Sequence, residues 1–498
     1  MERKQAGTLD MTEGSPARVL LLFAVPVILS NLFQQLYNLV DSLIVGNYLG
    51  PNALAAVGSA GTITAVVIQL ASGLSLGASV VISQYFGAGK REKIRVCMTT
   101  ICLFSAAAGA VVTLLTQVFA EDILRLVLTP EEVMADSIAY LTVYFWGSVV
   151  IFLYNALNAV YIAVGDSRTP LYFLILAFFL NVAGDLFFIV NCSMGVRGGA
   201  LASTLSQAVC TVLSWMVLEW RMRKVDMAHA ERLFDRAEFW KMMKIALPAA
   251  LQQSVVSVGN VCVQAATNSF GAVVMAGCTA ANKAISLVSL IPINWGSALA
   301  NYTGQNVGAK KPDRIRAGVR VSVWVTGLLT AFLVLFLELM PEQIVGWFVE
   351  EDGGAAVVAV GAEYLRATGP FLIIFAVYMV VKDVFKGTGD MKWYVGMTLS
   401  SLGIRVAFTF LFAPILGVPA LWWGVCAGWI ISAVPTLLHY TSGKWYDVHE
   451  SNEQCGIKRA PRRETSRKIT GVREKRDGYT GIDGTGAESH RGSGDSDI

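Results

Sequence analysis

The chain has 498 residues, of which 54% are hydrophobic and 15% charged, with a mean hydropathy of +0.55 and a formal net charge of +3. Soluble domains carry about 25% charged residues, so this composition excludes a water-soluble enzyme, a secreted scaffold and a disordered hub. Eight cysteines occur with no CxxC pair and no neighbouring histidine, which leaves neither a disulfide framework nor a zinc site to predict.

Apolar runs bounded by charge or by Gly, Pro and Asn predict twelve membrane-spanning segments. In chain order they are 18–46, 53–84, 94–118, 135–164, 170–191, 198–220, 240–268, 272–305, 315–339, 355–386, 393–413 and 418–441. Each must satisfy its own backbone hydrogen bonds in lipid, and strand alternation is absent, so each is a helix. The runs at 53–84, 135–164, 272–305 and 355–386 are longer than a simple crossing needs and must tilt, kink or protrude. Charge sets the orientation. Basic clusters fall at Arg3 to Arg18, Lys90 to Arg95, Arg168, Arg221 to Lys244, Lys310 to Arg316, and Lys382, Lys386 and Lys392. The opposite loops hold Arg125 and Arg197 and are acidic around 121–136 and 338–352. The positive-inside rule then places both termini in the cytoplasm. The first apolar run is too long for a signal peptide and no cleavage site follows it, so the first span is expected to be retained.

The chain also repeats. Gln84-Tyr-Phe-Gly-Ala-Gly-Lys-Arg-Glu-Lys-Ile-Arg95 recurs as Gln305-Asn-Val-Gly-Ala-Lys-Lys-Pro-Asp-Arg-Ile-Arg316, at an offset of 221. Pro26 answers Pro248, Gly50 answers Gly271, and Gly165-Asp166 answers Gly389-Asp390. Six helices per half is an even number, so the repeats are parallel, as in carriers with a substrate site between two lobes near the midplane. The expected organisation is a cytoplasmic N-terminus at 1–17, an N-lobe at 18–220, a linker at 221–239, a C-lobe at 240–442 and a disordered cytoplasmic tail at 443–498.

Polar residues line single faces of several spans. The first span carries Asn31, Gln34, Asn38 and Asp41, and the seventh carries Gln253, Ser257, Asn260, Gln264 and Asn268. Spans four to six add Asn155, Asn158 and Tyr161, then Asn181 and Asp185, then Thr204, Gln207 and Thr211. Interhelical hydrogen bonding would account for any one amide, whereas two matched stripes favour a water-filled central cavity. Asp41, Asp185, Lys283 and Arg405 lie well inside spans, where a charge is costly and marks a candidate site. Counted from the inner edge at about 1.5 Å per residue, Asp41 and Asp185 both fall in the outer half of the membrane and could meet there. With Asn181 and Thr204 they form an oxygen set able to hold sodium. Alternatively, burial and mutual repulsion would let one carboxyl bind and release a proton. The negative pocket would also attract an organic cation. The second half offers Lys283 and Arg405 instead, either lining the cavity or pairing with Asp383 or Glu363. Pro26 and Pro248 each remove a helix hydrogen bond and are candidate hinges, and Pro292 is expected to break the eighth span similarly.

These residues resemble the multidrug and toxic compound extrusion (MATE) family, in its DinF-like branch. The resemblance covers about 15–442. It rests on Phe23-Ala-Val-Pro-Val-Ile-Leu-Ser-Asn-Leu-Phe-Gln-Gln-Leu-Tyr-Asn-Leu-Val-Asp41, Ile44-Val-Gly-Asn-Tyr-Leu-Gly50, the paired Gln-x-x-Gly-Ala loops, Asn181-Val-Ala-Gly-Asp185 and Gly198-Gly-Ala-Leu-Ala-Ser-Thr204. It implies an all-α, twelve-helix, two-lobed exporter of organic cations or amphiphilic toxic compounds in a bacterial inner membrane. Export would be driven by inward protons or sodium, with no cofactor, no nucleic acid and no obligate protein partner beyond membrane lipid. Asp41, Asn181, Asp185 and Thr204 match the family's first-lobe cation site, and Gln34, Tyr37 and Asn158 match its drug chamber. Asn38, Asn155, Gln253, Asn260, Gln264, Lys283 and Arg405 complete the expected substrate cavity. A NorM-like branch uses acids in the seventh helix, where this chain has Gln252 and Gln253. The alternative is a lipid-linked saccharide flippase of the wider superfamily, which would favour a cationic cavity. An enzyme finds no support, because no nucleophile motif, intramembrane histidine cluster or phosphate-cradling loop is present.

Overall fold

Twelve predicted spans become fifteen helices in the computed structural model, which describes residues 8–224, 232–349 and 354–446. The first seven residues, part of the expected linker and the expected tail after 446 lie outside the described residues. The first lobe holds α1 (Pro16–Leu49), α2 (Pro51–Gly87), α3 (Arg91–Leu126), α4 (Glu131–Trp146), α5 (Ser148–Ala163), α6 (Arg168–Asp185) with a π-helical turn (Leu186–Asn191), and α7 (Val196–Lys224). The second holds α8 (Arg236–Asn268), α9 (Ala272–Gly308), α10 (Pro312–Leu339), α11 (Pro341–Gly346), α12 (Gly354–Thr368), α13 (Phe371–Thr388), α14 (Met391–Leu416) and α15 (Ala420–Ser442). Regular structure among the described residues is entirely helical.

Among the described residues, ten helices are long and apolar enough to cross a membrane singly. The pairs α4–α5 and α12–α13 supply two further spans, bent by 52° and 55°. These are two of the four overlong runs. The other two, α2 and α9, are unbroken helices of 37 residues that continue past the apolar stretch. Pro292 does not break α9 as expected. The chain bends at Gly147 and at Gly369-Pro370 instead, and the first of these corners contains no proline. At Gly147 the reason is crowding. An added Cβ would stand 2.5 Å from the Thr204 methyl, so only a glycine lets α7 approach this corner.

The repeat is visible in the joints. Gly50 and Gly271, at φ +84° and +92°, each turn the chain directly from one long helix into the next, a conformation that penalises a Cβ. The core gives the two candidate hinge prolines their setting. Leu20, Phe23 and Ala24 at the start of α1 pack on Trp295, Leu299, Tyr302 and Phe385 of the second lobe. Met242, Ala246 and Ala249 at the start of α8 pack on Leu74, Ala78 and Val81 of the first. Beyond these stretches Ile44 and Val45 of α1, and Ala266 of α8, rejoin the cores of their own lobes. Pro26 and Pro248 thus sit where each helix passes from the opposite lobe to its own.

Glycine and alanine let this crossover come close. A Cβ on Gly73 would lie 2.9 Å from Ala250 Cα, and one on Gly77 2.8 Å from Ala246 Cβ. The repeated glutamines then tie the basic ends together. Gln84 Nε2 donates to the Gly387 carbonyl at 3.2 Å, and Gln305 Nε2 donates to the Ala163 carbonyl at 2.9 Å. Each reaches from its own lobe to the other. Residues 9–14 overlie this junction, with the Leu9 N–H on the Gly165 carbonyl and the Met11 N–H on Gln305 Oε1.

Candidate functional site

The first-lobe carboxylates meet, as their depth predicted. Asp185 ends α6 fully buried, and its direct charged neighbour is Asp41 of α1. Both Asp185 oxygens and Asn181 Oδ1 are buried without a hydrogen-bond donor. No Lys or Arg among the described residues pairs with either acid. Buried acceptors almost always find a donor, and a lone buried carboxylate is more costly still. A group of unsatisfied oxygens facing a second carboxyl is therefore arranged for a proton or a small hard cation. Among the described residues no three His, Cys, Asp or Glu cluster as they would for a transition metal.

The supporting shell gains one member beyond the expected set. Thr204 Oγ1 donates to the Ala200 carbonyl of its own helix at 2.9 Å, and its methyl faces Gly147. The α7 hydroxyl that bonds to its neighbours in the site is Ser203. Asn181 Nδ2 and the Tyr37 hydroxyl both contact Ser203 Oγ at 3.2 Å. Tyr37 is 8% exposed, so it braces the carboxylate site rather than lining an open chamber. Tyr140 and Tyr144, stacked at 5.8 Å, close the pocket beside Asp41. Sequence reasoning missed Ser203, Tyr140 and Tyr144. The i, i+4 spacing of the two tyrosines was the available signal.

The amide stripes follow the seam between the lobes. Asn31 donates to Asn294 of α9 at 2.5 Å, and Gln253 donates to Gln69 of α2 at 3.3 Å. Asn31 and Gln253 are repeat mates, at an offset of 222, and each reaches from its crossing helix to the second helix of the other lobe. Gln34 and Asn38 lie exposed with their amides 3.4 Å apart, and Asn260 and Gln264 are exposed on α8. Asn155 accepts from Ser72 at 2.9 Å, and Asn158 Oδ1 is buried without a partner. Lys283 is exposed on α9, whereas Arg405 is half-buried with its Nε unpaired. Neither takes Asp383, whose ion pair at 3.3 Å is with Lys386 on its own helix, and Glu363 is exposed. Lys382 and Lys386, counted in the sequence among inner basic charges, are buried between helices.

A family model described as MatE matches residues 26–187 and 248–411, one copy per lobe. "Probable multidrug resistance protein YoeA" of Bacillus subtilis is 26% identical over 87% of this chain and 95% of its own length. "Probable multidrug resistance protein YpnP" of the same organism is 27% identical over 88% and 97%. A solved structure described as the "outward-facing conformation of a multidrug resistance MATE family transporter of the MOP superfamily" superposes with a TM-score of 0.80. It is 22% identical and covers 90% of this chain and 100% of that one, which establishes the shared fold.

Proposed function

The chain belongs to the MatE family, and on that premise we propose that it is a secondary exporter of organic cations or amphiphilic toxic compounds, driven by inward protons or sodium. It is a multi-pass membrane transporter rather than an enzyme. The observation that carries the reading is the Asp41–Asp185 pair with its unsatisfied oxygens and no basic partner among the described residues. A coupling ion that binds there in one conformation and leaves in the other shifts the equilibrium by its differential affinity. The names of the Bacillus subtilis relatives agree with efflux.

In this scheme the basic ends face the cytoplasm of a bacterial cell, and the amide-lined seam is the substrate path. Ion entry at Asp41 and Asp185 changes the packing of α1 against α6 and α7. Because the start of α1 is seated in the second lobe, bending at Pro26 transmits that change across the seam, with Pro248 of α8 its counterpart. The flippase alternative would favour a cationic cavity in place of this acidic pair.

The test is accumulation of a fluorescent organic cation in cells lacking their own exporters. Wild type should lower accumulation. Asp41→Asn and Asp185→Asn should each restore it while reaching the membrane at normal levels. Unimpaired export by either variant refutes the coupling assignment.

A further inference from the structure

A second group of ionisable side chains lies inside the other lobe, and the coupling scheme leaves it without a role. Lys382, Asp383 and Lys386 of α13 are 4%, 6% and 7% exposed. Lys386 Nζ donates to Asp383 Oδ2 and to Ser297 Oγ of α9, both at 3.3 Å. That pair is closed on itself. Lys382 is different. Its Nζ donates to Thr398 Oγ1 of α14 at 3.2 Å and makes no ion pair among the described residues. It lies 5.4 Å and 5.1 Å from the ring centroids of Tyr378 and Tyr394.

An ammonium offers three donors, so two remain for an acceptor that the described residues do not supply. The nearby polar groups are already engaged. The Tyr378 hydroxyl donates to the Met397 carbonyl at 3.0 Å, and Gln252 of α8 stands beside the Tyr394 hydroxyl. Two ammoniums against one carboxylate leave a formal charge of +1, and ring faces offset it only in part.

Position ties this group to transport. With Gly165-Asp166 matched to Gly389-Asp390, an offset of 224, Lys382 is the repeat mate of Asn158 in the first-lobe amide stripe. Gln252 neighbours Gln253, which crosses the seam to Gln69. Gln252 thus links the ring beside Lys382 to the helix that crosses the seam, and the ionisable groups of the two lobes differ in sign: Asp41 and Asp185 in one, and Lys382 and Lys386 against the single Asp383 in the other.

We propose that Lys382, held between Tyr378 and Tyr394 and backed by the Lys386–Asp383 pair, is a binding site for the carboxylate of a zwitterionic amphiphile. This deepens the export reading and rests on it. The exported compounds then include molecules with an anionic group, not cations alone.

The test uses two dyes that differ only in that group: rhodamine 110, with a free carboxylate, and rhodamine 123, its methyl ester. Equilibrium binding to the full chain in lipid nanodiscs is measured by fluorescence anisotropy, and export from proteoliposomes in parallel. Wild type should bind rhodamine 110 the more tightly. Lys382→Gln should weaken rhodamine 110 by about tenfold, as loss of a charge-assisted hydrogen bond would, and leave rhodamine 123 unchanged. Lys382→Arg should keep the preference. Equal weakening of both dyes, or of neither, overturns the proposal. So does loss of gradient-driven export of both dyes with binding intact, which would make Lys382 a coupling residue. Wild-type protein that prefers rhodamine 110 but exports neither dye refutes the export reading and leaves the anion site standing.

Discussion

Asp41 and Asp185 were legible in the sequence because a carboxylate deep in an apolar run has few harmless explanations. Ser203 was not. Hydroxyls on membrane helices commonly bond their own helix four residues back, as Thr204 does here, and sequence spacing cannot say which of two adjacent hydroxyls will turn toward a neighbouring helix. That choice depends on how α7 is rotated against α6, with Gly147 admitting the Thr204 methyl. The two should separate on substitution. Ser203→Ala removes the partner of both Asn181 and Tyr37 and should cost about 1–3 kcal/mol for each group left unsatisfied. It should lower the melting temperature and weaken ion-driven export, whereas Thr204→Ala should leave export closer to wild type. Thermal unfolding in detergent with export assays on the same preparations decides the matter, and equal effects would return Thr204 to the site.

Helix existence and number followed from apolar run length, but the points where helices bend did not. Prolines drew the prediction, yet Pro26, Pro248 and Pro292 lie within continuous helices. The bends of 52° and 55° fall at Gly147, with no proline, and at Gly369-Pro370, whose proline the prediction passed over. A proline removes one hydrogen bond, which a packed neighbour can tolerate, while the Gly147 corner is fixed by the closeness of another helix. The crossover of α1 and α8 was equally hidden, because residues 19–29 and 245–251 are apolar on all sides, and such a stretch does not distinguish a lipid face from a protein face. Its presence gives the prolines a mechanical reading. Pro26→Ala and Pro248→Ala should fold and bind dye normally, since a proline ring offers no polar group to a bound dye. Each should slow turnover by about fivefold, because restoring one helix hydrogen bond, worth about 1 kcal/mol, stiffens the bend each cycle must cross. Turnover unchanged in both variants would show that the bend is static.

The two-lobed plan was readable from the offset of 221 between the glutamine loops, and the structure adds what those loops do. Gln84 and Gln305 exchange hydrogen bonds with the opposite lobe, and the glycines three residues on from each make the fit possible. A methyl on Gly87 would overlap the Gln305 carbonyl, and one on Gly308 the Gln84 carbonyl. Gly87→Ala and Gly308→Ala should therefore prop the basic ends apart. A cysteine placed at Ser83, fully buried beside Asn301, should then react faster with a water-soluble maleimide, and unchanged labelling would contradict the closed junction. The symmetry stops at the chemistry. Asp166 pairs with Arg221, while its mate Asp390 pairs with His439 at 2.9 Å. The first lobe holds the facing acids and the second the buried lysines, differences that a search for similarity passes over. The proposed coupling rests most on the acids. Its most direct test is proteoliposome export of a cationic dye under an imposed proton gradient and, separately, an imposed sodium gradient. One gradient should drive export by the wild type, and Asp41→Asn and Asp185→Asn should abolish it while dye binding persists. Export that is indifferent to both gradients, or that survives both substitutions, would contradict coupling through this carboxylate pair.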